Sequence, residues 1–230
     1  MNIKPALLRR WDRAICEDPQ LLKLLSSSKI KERGQAAASF VEHRALELAN
    51  IVSPIRFERY ETGKNKGKKK ARSLSDGFFA IYSRVFINIK TSYEERSGQP
   101  NICSLPKLIK QFVETEFLKQ FVTGQFDDYL LVHIYFDVKN QKIKVCFISL
   151  FDNLEYVTYN DGPGQMMLKK SKLFNGSKQT IRASSKKMTN NRRVQIADQL
   201  LNMLTDGTER LIRARRRRNL KLKRAVDNIR

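Results

Sequence analysis

The chain predicts an α/β domain: a mixed central β-sheet flanked by helices, with helical extensions at both ends. Three observations predict it. Residues 35–52 carry apolar side chains at helical spacing. Two later runs, YLLVHIYFD (129–137) and KIKVCFISLF (142–151), are rich in β-branched and aromatic residues. The order is helices, then strands with one intervening helix, then helices, which is the pattern of a layered α/β unit. A chain of 230 residues with 41% hydrophobic content can bury one sizeable core.

Within residues 4–30, PALLRRWDRAI and PQLLKLLSS read as short helices parted near Pro19. In QAAASFVEHRALELANIV, Phe40, Val41, Ala45, Leu48 and Val52 form the apolar stripe, and Pro54 stops the helix. Ile55 to Thr62 is strand-like, and GKNKGKKKAR (63–72) is a basic loop. SDGFFAIYSRVFINIKTSY (75–93) reads as a turn and two strands, Phe78 to Ile81 and Val85 to Ile89, the second leading into Lys90. EERSGQPN (94–101) is a polar loop. SLPKLIKQFVETEFLKQFV (104–122) reads as a helix with Pro106 in its first turn.

The VKNQ between the two β-rich runs fits an antiparallel hairpin, or two sheet strands with a longer register offset. NDGPGQ (160–165) is a turn cluster, and residues 166–193 are polar and basic with weak periodicity. A helix is expected to start near Thr189 or Asn190 and to run through VQIADQLLNML. After Asp206-Gly207 comes a separate segment, TERLIRARRRRNLKLKR, too dense in charge to hold a helix alone in water. It is expected to be ordered by DNA, by an acidic partner surface, or not at all. The resulting division is an N-terminal helical segment (1–34), a core (35–165) and a basic C-terminal segment of the same domain (166–230).

The formal net charge is +22 and the isoelectric point is near 10.1. Such an imbalance costs stability through self-repulsion unless a polyanion is the normal partner. Nucleic acid leads that list, with an anionic membrane surface second. No run of about 18 apolar residues occurs, so no membrane span is expected. The opening MNIKPALLRRWDRA lacks the apolar core and cleavage pattern of a secretory leader. Three isolated cysteines, Cys16, Cys103 and Cys146, argue against a disulfide scaffold or Cys-rich zinc site and fit a reducing, cytoplasmic setting. There is no phosphate-binding G-x-x-x-x-G-K-[ST] loop and no G-x-S-x-G elbow. His43 and His133, the two histidines, are too few for a histidine-based metal nuclease.

Asp76, Asn88 and Lys90 carry the sharpest chemistry. On a strand, Asn88 and Lys90 share one face while Ile87 and Ile89 take the other. A hairpin would bring Asp76 close to that pair. One acid, one side-chain oxygen and one lysine at a sheet edge suit Mg2+-assisted attack on a phosphodiester.

This arrangement resembles the PD-(D/E)xK nucleases, and within them the type II restriction endonucleases. Ser75-Asp76 matches the acid after a turn, and Asn88-Ile89-Lys90 matches the acid–x–Lys strand. INIKTSY is similar to the IxIKTT strand ending of many restriction enzymes. The resemblance covers roughly residues 36 to 165 and is loose outside the hairpin. One departure stands out: Asn88 replaces the usual Asp or Glu and removes a negative charge from the site.

The resemblance implies a restriction-endonuclease-like fold acting on double-stranded DNA in a prokaryotic cytoplasm, with Mg2+ or Mn2+ as cofactor. It implies that Asp76 binds metal and that Asn88 offers a neutral oxygen or orients a metal-bound water. The Ile89 carbonyl would be a further ligand, and Lys90 would position the attacking water. Glu42 on the preceding helix, with Glu47 as the alternative, would hold a water of the metal shell. Palindromic DNA sites favour a homodimer, although monomeric enzymes of this size exist.

Two basic segments are candidates for DNA contact. Lys64, Lys66, Lys68, Lys69, Lys70 and Arg72 crowd the loop before the hairpin and suit a phosphate backbone or a groove. Lys169, Lys170, Lys172, Lys178, Arg182, Lys186, Lys187, Asn190, Arg192 and Arg193 mix cations with amides, a composition suited to base edges or to phosphates alone. Gln99 and Asn101 follow the candidate catalytic strand and are secondary contacts by the same resemblance. Asp127 and Asp128 more simply cap or begin a strand. Asp137-Val138-Lys139 also spells D-x-K but lacks an upstream acid at hairpin spacing, and reads as a decoy. The expected function is sequence-specific DNA cleavage. Alternatives are a non-catalytic nucleic-acid-binding protein on the same fold, a structure-guided repair or junction nuclease, and an RNA-associated basic protein.

Overall fold

Pro5 and Pro19 each occupy the first turn of a helix, where a missing N–H costs nothing. The computed structural model describes residues 3–26, 34–57, 76–79, 85–93, 101–104, 117–125, 127–161, 164–169, 174–175, 178–179 and 188–229. Helix α1 (Pro5–Cys16) buries Leu7, Leu8, Trp11 and Ile15 along one stripe. Helix α2 (Pro19–Leu25) starts on Asp18, whose side chain accepts from the Leu21 amide at 2.9 Å. The same carboxylate accepts twice from Arg44, at 3.0 and 2.6 Å, tying α2 to helix α3 (Gly34–Val52). Burial alone would raise the Asp18 pKa, but the Arg44 guanidinium and the α2 amides outweigh it and hold the carboxyl below its ordinary value.

Helix α3 buries Val41, Ala45, Leu46, Leu48 and Ala49. Phe40 does not join this face: it is 41% exposed, and Leu46 and Ala49 take the place assigned to it. The helix closes at Val52, two residues before Pro54, and Asn50 Oδ1 accepts from the Ile55 amide at 3.0 Å to launch the first strand.

The main sheet has five strands in the order β1 (Ile55–Phe57), β2 (Gly77–Phe79), β3 (Val85–Tyr93), β5 (Asp128–Asp137), β6 (Lys142–Ser149). β1, β2 and β3 run antiparallel, β3 and β5 parallel, and β5 and β6 antiparallel, so the sheet is mixed. The β5–β6 hairpin turns at residues 138–141, as the VKNQ spacing predicts.

Alternation along β3 and β5 sorts side chains to two faces. Ile87, Ile89, Leu130, Val132, Ile134 and Phe136 meet α1, α2 and α3 in one apolar cluster. Trp11 sits at its centre, donating Nε1–H to the Ala45 carbonyl at 2.9 Å and meeting Phe79 edge-on at 5.6 Å.

The other face carries Tyr129, Leu131, Cys146 and Ile148, packed beneath Phe121 of helix α4 (Phe117–Val122) and the start of helix α5 (Asn190–Asp227). A second antiparallel sheet shares this cluster, in the order β4 (Asn101–Ser104), β8 (Gln165–Leu168), β7 (Val157–Asn160). Strands β9 (Phe174–Asn175) and β10 (Lys178–Gln179) form a short separate ladder. Asn101 to Ser104 are therefore strand, where a loop end and a helix start were expected. Of the predicted helix 104–122, the described part is Phe117–Val122.

The expected break at Asp206-Gly207 is absent. Helix α5 runs unbroken for 38 residues, about 57 Å at 1.5 Å per residue. A helical glycine costs about 1 kcal/mol, and burial of Leu204 and Leu211 on either side of Gly207 offsets it. The arginine-dense half is helical because it continues an anchored helix and needs no nucleus of its own. Leu211 seats against Gly164 in the β7–β8 turn, where φ is +66° and a Cβ would stand 2.9 Å from a Leu211 methyl. No described helix is long and apolar enough to cross a membrane.

Candidate active site on the β2–β3 hairpin

β2 pairs with β3 through Gly77 opposite Ile87 and Phe78 opposite Phe86. Two hydrogen bonds extend this ladder onto Asp76. Its amide donates to the Ile87 carbonyl at 2.7 Å, and its carboxylate accepts from the Ile89 amide at 2.6 Å. The two bonds straddle Asn88, so Asp76 lies directly across from it. Both side chains are buried, each 4% exposed.

The Asn88 amide group donates to the Tyr129 hydroxyl at 2.7 Å. This turns Asn88 to the face of β3 that meets α5, away from α3. Lys90, two residues on, shares that face and is half-buried. The parallel register sets Lys90 beside His133, and His133 Nε2 lies 2.7 Å from the Ser92 hydroxyl. Asp76, Asn88 and Lys90 therefore sit on adjoining positions of one hairpin.

Tyr129, His133 and Ser92 join this neighbourhood without having been singled out for it. Tyr129 and His133 were legible as strand residues only. Their place beside Asn88 and Lys90 follows from the parallel β3–β5 register, which no local pattern encodes.

Glu42 is half-buried on α3. That helix covers the Ile87–Ile89 face of β3, while Asn88 and Lys90 point to the other face. Glu47, the alternative, is engaged by Arg44 at 2.9 Å and His43 at 3.0 Å. The carboxylate that lies across the ladder from Asn88 is Asp76, held by the Ile89 amide.

Among the described residues, no three His, Cys, Asp or Glu side chains cluster as metal ligands. The donor set on the hairpin is of another kind: one carboxylate, one amide oxygen and one main-chain carbonyl. The Ile89 N–H points at Asp76, and in an extended strand the carbonyl of the same residue projects to the same side. All three are hard oxygen donors, which is the chemistry Mg2+ takes.

The decoy resolves as a turn. Asp137 accepts from the Asn140 amide at 3.1 Å and pairs with Lys144 at 2.7 Å. Burial would raise its pKa, but Lys144 and Asn140 together hold it near 2. Lys139 is exposed.

Asp128 begins β5 opposite Val85. Burial pushes its carboxyl up to about 7, and the Ser149, Tyr129 and Phe151 hydrogen bonds do not offset that. The folded chain thus keeps a proton that the unfolded chain, near 3.8, gives up. Stability falls as pH rises between those two values and levels off above the upper one. Asp128→Asn removes this slope. Thermal melts at pH 5 and pH 8 should show a larger loss in the wild type than in the variant.

Arg193, a candidate DNA contact, is inside the protein. It is 3% exposed, donates to the Phe121 carbonyl at 3.0 Å, pairs with Asp127 and stacks on the Phe121 ring. A cation buried this deeply, with Asp127 and Phe121 as partners, is not presented to a base edge. Lys169 is half-buried, with Nζ donating to the Glu155 carbonyl at 2.8 Å. Asn190 is exposed and Arg192 half-buried in the first turn of α5, which Thr189 caps. Asn101 and Lys178 lie in strands β4 and β10, with side chains outside the described residues. Lys64, Lys66, Lys68, Lys69, Lys70, Arg72, Gln99, Lys170, Lys172, Arg182, Lys186 and Lys187 also lie outside the described residues.

The chain matches no protein-family model and no curated protein.

Proposed function

We propose that this protein is a Mg2+-dependent endonuclease of double-stranded DNA, of the type II restriction class and with a restriction-endonuclease-like fold. The observation that carries the reading is the pair of Asp76 hydrogen bonds that straddle Asn88, with Lys90 next on the same face. The mixed sheet between helical layers and the net charge of +22 agree with it.

In this scheme Asp76, the Asn88 side-chain oxygen and the Ile89 carbonyl hold the ion. A bound Mg2+ supplies charge stabilisation and a more acidic water. The protein does the rest. The Ile89 amide fixes one Asp76 oxygen, and the Tyr129 hydroxyl fixes the Asn88 amide, so the oxygens are oriented before any ligand arrives. Lys90 orients the attacking water and balances the negative charge that develops on the phosphate. Tyr129 and His133 flank the pair on the β5 side.

One carboxylate is a weak attractor for a divalent cation. Asn88→Asp should tighten Mg2+ binding by about tenfold, the equivalent of 1.4 kcal/mol for one added charge interaction. Calorimetric titration of both forms checks this, and equal affinities would remove Asn88 from the ion site.

A second reading has its own support. Asn88 is neutral, buried and bonded to a buried tyrosine, as a position would be after losing a ligand role. The fold would then bind nucleic acid without cutting it. Incubation with phage-sized DNA and Mg2+ or Mn2+, beside Lys90→Ala, separates the two. Discrete bands lost in the variant support the nuclease. Intact DNA that shifts on a gel supports the binding protein, and a smear points to structure-guided or nonspecific cutting.

A further inference from the structure

Beyond Leu211, helix α5 leaves the body: residues 215–229 are all exposed. This projecting part carries Arg213, Arg215, Arg216, Arg217, Arg218, Lys221, Lys223 and Arg224 against Asp227. We propose that the projecting half of α5 is a second duplex-DNA contact that lies in a major groove, separate from the hairpin site. The proposal deepens the nucleic-acid reading above and rests on it for the identity of the partner.

The charge pattern supports it. At 100° per residue, Arg210, Arg213, Arg217, Lys221 and Arg224 fall within about 80° of arc, a stripe roughly 21 Å long. Arg216 and Arg218 lie about 100° to either side of the centre of that stripe, and Arg215 lies on the far side, so cations stand on both flanks. A helix in a major groove has phosphates on both walls, which is the partner that two charged flanks fit.

A membrane surface fits worse. It requires one continuous apolar face, and Arg215 and Arg218 interrupt the sector that holds Leu222, Val226 and Ile229. The segment also lacks an aromatic anchor. Among the described residues, no ion pair engages Arg216, Arg217, Lys221 or Lys223, and Arg213 meets only Glu209 at 3.9 Å.

The base of the projection is braced. Leu211 packs on Gly164, Arg210 stands 5.7 Å from the Tyr159 ring, and the Tyr159 hydroxyl donates to the Met203 carbonyl. The helix is therefore held at its root and presented as a rod, so DNA binding need not order it.

The test uses the full chain carrying Lys90→Ala, so that DNA survives. Binding of a short mixed-sequence duplex is followed by fluorescence anisotropy across a salt series. Four changes together, Arg213→Ala, Arg217→Ala, Lys221→Ala and Arg224→Ala, are compared with Arg9→Ala, Arg10→Ala, Arg13→Ala and Lys23→Ala. The second set removes the same charge from the opposite helical layer. The helix set should weaken binding at least tenfold. It should also reduce the slope of log affinity against log salt by about 3.6, given about 0.9 for each of four phosphate contacts.

The control set should leave the slope within about one unit. Equal losses from both sets would overturn the proposal in favour of net charge alone. Unchanged binding by the helix set, or helix-dependent capture by phosphatidylserine vesicles with none by DNA, would overturn it as well. Failure of the hairpin reading looks different: the chain with Lys90 intact would leave DNA uncut while the helix-dependent binding persists.

Discussion

Arg193→Met destabilises the fold by about 3–5 kcal/mol, the usual cost of stranding one member of a buried ion pair. Arg193 lies in the first turn of α5 and joins it to Asp127 and to the Phe121 carbonyl of α4. Methionine keeps the apolar stem but leaves a buried carboxylate and a carbonyl without their donor. In a chain of this length the change lowers Tm by about 10 °C. Adding Asp127→Leu removes the stranded charge, and the double variant should recover at least half of the loss. A single variant that melts with the wild type would mean that Asp127 reaches solvent instead.

On the proposed nuclease reading, Lys90→Ala should lower Mg2+-dependent cleavage by about 10²- to 10⁴-fold, the range for removing one positioned acid–base or charge-stabilising group. The Lys90 side chain is half-buried, and Lys90 lies on β3 beyond the residues paired with β2, so the fold and the Asp76–Ile89 bond should persist. The decisive readout is the rate at saturating Mg2+ and DNA, with DNA affinity measured alongside. A loss confined to affinity would make Lys90 a phosphate contact. An unchanged rate would move the chemistry off this hairpin.

The candidate hairpin was legible because its signals are local. An Asp-Gly turn, two short apolar runs and the Asn88–Lys90 spacing lie within residues 75–93, and strand alternation alone puts Asn88 and Lys90 on one face. The helix starts at Pro5, Pro19 and Asn190 were legible for the same reason: a first-turn proline marks the first two, and Asp18 and Thr189 cap the last two.

What was not legible depends on distant partners. Arg193 looks like a nucleic-acid contact in a basic, amide-rich segment, and only tertiary pairing with Asp127 takes it inside. Phe40 fits the helical stripe as well as Ala49 does, yet the sheet meets α3 along the Ala49 side. The break at Gly207 was a reasonable reading of local propensity. Leu204, in the cluster on the second face of the sheet, and Leu211, seated against Gly164, override it.

The buried position of Trp11 gives this chain a built-in optical probe. It is the sole tryptophan, fully enclosed among Phe79, Phe147 and α3, in the layer opposite Asn88 and Lys90. Its emission therefore reports whether the N-terminal helices are seated on the sheet, and it stays silent when ligand arrives on the other side. A red shift would mark undocking of that layer, and would distinguish a variant that has lost its scaffold from one that has lost only its chemistry.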